Sequence, residues 1–101
     1  MKRKRIVRLD ILGKPWTYEY LKESSLDAEN FGTTTYRKLT IAILEDLPVS
    51  LEQDVFLHET IHAIDSSLGL GLREEQVNQL GCALAQVCRD NPEILQYLAQ
   101  K

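Results

Sequence analysis

The only two histidines of the chain stand four residues apart, in the run His58-Glu59-Thr60-Ile61-His62. On a helix that spacing puts both imidazoles on one face, where they can grip one Zn²⁺. The carboxylate of Glu59, beside the first histidine, can then act as general base toward a zinc-activated water, which is the chemistry of peptide-bond hydrolysis. Two histidines scattered at random over 101 residues fall four apart roughly 2% of the time, and an adjoining glutamate lowers that to a few per thousand. The motif needs two further things, a helix to carry it and a third ligand.

The helix is well signalled. Ser50 is a good N-cap residue and Gln53 completes a capping box, so a helix is predicted over 51–68. Leu57, Ile61, Ile64 and Leu68 form its buried stripe, and His58, His62 and Asp65 line the adjacent face. Gly69-Leu70-Gly71 reads as a C-cap and turn. A second helix follows over 73–89, with Val77, Leu80, Leu84 and Val87 facing inward. Asn91-Pro92 opens a short last helix bearing Ile94, Leu95 and Leu98.

A catalytic zinc takes three protein ligands and leaves a fourth position for water. With no histidine left, the third ligand must be a carboxylate from another element. A helical hairpin turning at Gly69-Gly71 brings the start of the second helix near His62. Glu74 shares the inward phase of Val77 and Gly81, whereas Glu75 points partly toward Asn78 and Cys82, so helical phase favours Glu74. Gly81 on that face would let the two helices approach closely. Asp65 could accept a hydrogen bond from a ligand imidazole, be a rival third ligand, or simply be an aspartate capping the helix end.

Ahead of the motif the pattern is that of strands. Residues 4–12 carry Ile6, Leu9, Ile11 and Leu12, Gly13-Lys14-Pro15 signals a turn, and Trp16, Tyr18 and Tyr20 alternate with polar residues over 16–21, so a hairpin is expected. Residues 22–35 read as a loop or short helical turn, and 36–44 as a third strand. The fold class is therefore α+β, a single domain over 1–101 with a small sheet of about three strands packed on the motif helix and a second ligand-bearing helix. A peptide or protein substrate can add as a strand to a sheet edge. The segment 38–44, just before the motif helix, is the candidate, and an internal core strand is the other reading of the same residues. Tyr36 and Tyr97 are the tyrosines that could help an oxyanion, with core or surface packing as the ordinary alternative.

With these pieces in place, the chain resembles a minimal zincin metallopeptidase of the gluzincin kind, and is similar to small phage and prophage proteins related to the ImmA/IrrE metallopeptidases. The resemblance runs from about Gly32 to Pro92. It rests on the strand before the helix, on the run from Leu57 to Asp65, on Glu74-Glu75-Gln76-Val77-Asn78-Gln79-Leu80-Gly81, and on Asp90-Asn91-Pro92. It implies a zinc held by His58, His62 and Glu74, with Glu59 as the base. The chain departs from larger members in lacking an added substrate-recognition domain, and its first 30 residues match nothing specific.

Composition sets the remaining bounds. Apolar residues make up 44% and charged residues 27% of the chain, the proportions of an ordinary globular domain. The net charge of −3 offers no general attraction to nucleic acid or to anionic membranes. Lys2, Arg3, Lys4, Arg5 and Arg8 crowd one end, where a solvated, flexible leader over 1–5 is the plain expectation and contact with nucleic acid the alternative. No run approaches the roughly 18 apolar residues of a membrane span. Arg8 and Asp10 interrupt any secretory-signal pattern, so a cytoplasmic place is expected, with Cys82 and Cys88 as reduced core thiols. The competing functional class is a non-catalytic phage or prophage module that keeps a zincin fold to bind another protein.

Overall fold

Alternation decides the first hairpin. In β2 (Lys14–Leu21) Trp16 and Tyr18 are buried while Thr17 and Glu19 face solvent, the two-residue period of a strand with one covered face. A tight turn at Leu12-Gly13 joins it to β1 (Arg8–Ile11), which pairs antiparallel with Ile11 opposite Lys14. Lys14 and Pro15 thus already belong to β2 instead of to the turn. The computed structural model describes residues 3–22 and 31–101.

The sheet holds four strands among the described residues, where about three were expected, and three α-helices accompany it. The additional strand is β3 (Gly32–Thr35), within the segment read from sequence as loop or helical turn; the part of that reading over 23–30 lies outside the described residues. The expected strand over 36–44 is shorter. A 3-10 turn occupies Tyr36–Lys38, Leu39 adopts a left-handed conformation (φ 51°), and only Thr40–Leu44 forms β4. Strand order is β1-β2-β4-β3. β4 runs parallel to β2, with Tyr18 opposite Ile41, and antiparallel to β3, with Thr34 opposite Ile41. Both of its edges are taken, so the segment 38–44 cannot accept an added peptide strand. Among the described residues β3, like β1, is an edge strand, bonded to β4 alone.

α1 (Val49–Leu68) crosses the covered face of the sheet. Its buried positions are Glu52, Val55, Glu59 and Ala63, together with Ile61 on the side toward α2, while Leu68 is exposed. Of the stripe expected along Leu57, Ile61, Ile64 and Leu68, Ile61 is buried and Ile64 packs against the core, while Leu57 is half-buried and Leu68 exposed, so the covered face is rotated. The sheet selects the Val55-Glu59-Ala63 line, where small or hydrogen-bonded side chains allow close approach. The helix also begins at Val49 with Pro48 before it, and Ser50 makes no capping bond; its carbonyl instead accepts a hydrogen bond from Arg89.

α2 (Glu74–Asp90) returns antiparallel against α1, and α3 (Glu93–Leu98) follows. Val77, Gly81 and Ala85 form the contact face. Leu80 and Leu84 remain 45% and 44% exposed, so the expected inward set of Val77, Leu80, Leu84 and Val87 holds only at its first member. Small side chains let the helices meet along Gly81, which turns the leucines sideways. Among the described residues no helix is long and apolar enough to cross a membrane.

Candidate metal centre

α1 and the turn after it build the site. Positions four apart set the His58 and His62 rings 4.8 Å apart, centroid to centroid. Gly69 (φ 66°) ends α1 in the left-handed conformation that glycine adopts without a Cβ penalty. The Asp65 carbonyl accepts from the amides of Gly69 and Leu70, and its carboxylate accepts from the Leu72 amide at 3.2 Å. Asp65 therefore secures the turn between the helices, the capping alternative of the three considered from sequence. That turn places Glu74, the first residue of α2, over the histidines.

The geometry is compact. Glu74 Oε1 lies 2.6 Å from His58 Nε2, Glu74 Oε2 lies 3.0 Å from His62 Nε2, and the two Nε2 atoms are 3.2 Å apart. Donor atoms of His58, His62 and Glu74 all fall within 4.8 Å of one another, the arrangement of a set that could hold a metal ion. Tetrahedral ligands about 2.0–2.1 Å from zinc stand roughly 3.3 Å apart, so two imidazoles and one carboxylate at these separations fit such an ion after a small outward relaxation. Glu75 turns away to pair with Arg73 at 3.0 Å on the surface. Neither cysteine joins the donor set; Cys88 is partly buried, and Cys82 is exposed on the cleft wall and is not a core thiol.

Glu59 lies one residue beyond His58 and so points toward the sheet. It is buried, and Thr34 of β3 reaches it with a hydroxyl 2.7 Å from Oε1 and 3.1 Å from the Glu59 carbonyl. Gly32 permits this closeness. A Cβ there would lie 2.7 Å from Val55 Cγ1, 3.0 Å from Glu59 Cγ and 3.1 Å from the Ala42 carbonyl oxygen. Gly81 is less demanding, because a Cβ at that position would make ordinary contacts of 3.7–3.8 Å with Ile61 and His58. Opposite the site, Thr60 donates to the Phe56 carbonyl and so accepts from the Tyr18 hydroxyl at 2.6 Å, which fixes the motif helix on β2. Burial raises the Tyr18 pKa, and the Thr60 hydrogen bond offsets part of that rise.

These groups line one open cleft of about 900 Å³ between β3, α1 and α2. Tyr36 forms part of its wall, and its hydroxyl accepts a hydrogen bond from Lys14 at 2.7 Å. Tyr97 is 70% exposed on α3 and lines no part of the cleft. Sequence reasoning missed Gly32 and Thr34, since a short polar run of glycine and three threonines carries no strand alternation to flag it. Near the start of the chain Arg3 and Arg5, within the expected leader, both donate to the buried Glu52 carboxylate, at 2.7 and 2.8 Å. Lys2 lies outside the described residues. In comparisons with known proteins, the chain matches no family model, no curated protein and no solved structure.

Proposed function

We propose that the protein is a zinc-dependent metallopeptidase of minimal zincin-like fold, similar to small phage proteins related to the ImmA/IrrE family and acting in the cytoplasm. The observation that carries this reading is the convergence of His58, His62 and Glu74 in an open cleft that Glu59 also lines. Two imidazoles and a carboxylate suit zinc. A zinc ion there supplies Lewis acidity, making water a nucleophile near neutral pH and polarising an amide carbonyl. Glu59 is the general base: its carboxylate accepts the proton of the attacking water and passes it to the leaving amine. Thr34 orients that carboxylate. Among the described residues no strand pairs with the outer edge of β3, which borders the cleft, and a peptide in extended form adds there as a further strand.

The test combines metal analysis with hydrolysis. Wild type should carry one zinc per chain, His58→Ala and Glu74→Ala should lose it, and Glu59→Gln should keep zinc while losing cleavage of a peptide library. Full cleavage by Glu59→Gln would overturn the assignment of the base, and failure to bind zinc after reconstitution would overturn the enzyme. A second reading, a non-catalytic protein-interaction module on the same fold, draws on Leu80, Leu84, Leu95 and Leu98, which α2 and α3 leave exposed. It expects a captured partner to remain intact after incubation with the zinc-loaded protein.

A further inference from the structure

The two ends of the cleft differ in chemistry. At one end Phe31, Leu51 and Val55 form an apolar wall, with Phe31 45% exposed. At the other, Tyr36 forms the wall, and the Lys14 ammonium sits on its hydroxyl at 2.7 Å. Arg37 and Lys38 follow Tyr36 in the same 3-10 turn and are exposed. Lys14, Arg37 and Lys38 make no ion pair with a carboxylate among the described residues. The acidic groups of the cleft are engaged elsewhere. Asp54 pairs with Arg89 at 2.9 Å, Glu59 accepts from Thr34, and Glu74 faces the two histidines. Among the described residues the positive end therefore has no carboxylate paired with it.

We infer that the cleft selects an extended peptide carrying a carboxylate side chain at its Tyr36 end and a large apolar side chain at its Phe31 end. This deepens the peptidase reading by naming the substrate class, and it rests on the cleft being a peptide site. Phe31 and Tyr36 flank β3 at its two ends, and the strand between them sets them about 16 Å apart. Thr34, beside Glu59, lies between them. A peptide paired with β3 rises at the same rate and its side chains alternate between faces, so an acidic and an apolar residue that both face the cleft stand about four or six positions apart, one on either side of the bond presented to Glu59. The Lys14 ammonium then meets the substrate carboxylate at the exposed rim beside Tyr36, while the apolar residue covers Phe31, Leu51 and Val55.

The experiment uses the full chain as Glu59→Gln and fluorescently labelled peptides with Leu four or six positions from Glu, Gln or Lys, made in both orders. Anisotropy titrations should show, for one of the two orders, affinity falling from Glu to Gln to Lys, with Glu over Gln by about threefold to tenfold and the ratio shrinking as salt is added. Lys14→Glu should reverse the series, and Leu51→Asp should weaken every Leu peptide. Equal affinity for the Glu and Lys peptides in both orders, or an unreversed series in Lys14→Glu, would overturn the inference. Incubation of the same peptides with zinc-loaded wild type separates it from the reading beneath it. Charge-selective binding without cleavage removes the peptidase and leaves the selectivity standing. Cleavage without charge preference does the opposite, and absence of any binding or cleavage removes both.

Discussion

Thr34 is the residue of the sheet that hydrogen-bonds the carboxylate of the proposed base among the described residues. Its hydroxyl donates to the Glu59 carboxylate, which is buried on α1 between the helix and β3. Thr34→Val keeps the shape and removes the donor. If Thr34 is a positioning residue, kcat should fall by about tenfold, well short of the roughly 10²–10⁴-fold that general-base catalysis supplies. KM should stay near wild type and Thr34→Ser should restore most of the rate, whereas a merely structural role would leave kcat unchanged. Stability should drop by about 1 kcal/mol in the valine variant, the ordinary worth of one hydrogen bond. At this scale the sequence was informative where spacing alone determines proximity. His58 and His62 meet because one helix carries both, and helical phase separated Glu74 from Glu75. Thr34 could not be found that way: three consecutive threonines carry no mark of which one reaches across to another element.

Elements were legible wherever a strong period or a turn residue marked them, and their faces were harder to read. The helical hairpin, the α2 boundary near Glu74 and the alternation of β2 all follow from local pattern. The facing surfaces do not, because they are chosen by the partner. Gly81 and Ala85 win the α1 contact over Leu80 and Leu84 because small residues permit the closer approach. β3 exists because β4 offers it an edge and Gly32 lets it lie against α1; its threonines favour a strand, but no alternation of polar and apolar residues marks it. That dependence gives an expectation at the element scale. In Gly32→Ala the new methyl would overlap Val55 Cγ1 at 2.7 Å and press on Glu59 Cγ and the Ala42 carbonyl oxygen. The strand must shift, with a loss of about 1–3 kcal/mol and a fall in Tm of about 4–8 °C for each kcal/mol. Gly81→Ala has room and should cost less than about 1 kcal/mol, offset in part by the better helix propensity of alanine. Calorimetry on the two variants tests the contrast; equal losses would contradict it.

The whole molecule joins the site to the opposite end of α1. Binding of zinc to the folded chain alone should raise its stability by about 2.7 kcal/mol at one hundred times Kd, an increment that a chelator removes and that Glu74→Ala should lack. At the start of α1, the segment after Arg3 lies over buried Glu52: Arg5 bonds its carboxylate and the Glu45 carbonyl and stacks 4.8 Å from the Tyr20 ring, while the Tyr20 hydroxyl donates to the Ile6 carbonyl at 2.7 Å. Burial, and then the nearby Glu52 charge, push the Tyr20 pKa up to about 12, with Arg5 opposing. The unfolded chain titrates this group near its ordinary value of about 10. Between those two values the unfolded state binds fewer protons than the folded one, so stability falls as pH rises. The contribution is fully present below about pH 10 and is lost as pH climbs through about 12. Tyr18, also raised by burial, adds a slope of the same sign. Urea midpoints measured across that alkaline window should decline steeply in wild type and less steeply in Tyr20→Phe, which keeps the ring against Arg5 and has no proton to lose. An identical decline in both proteins would assign the alkaline instability to groups other than Tyr20.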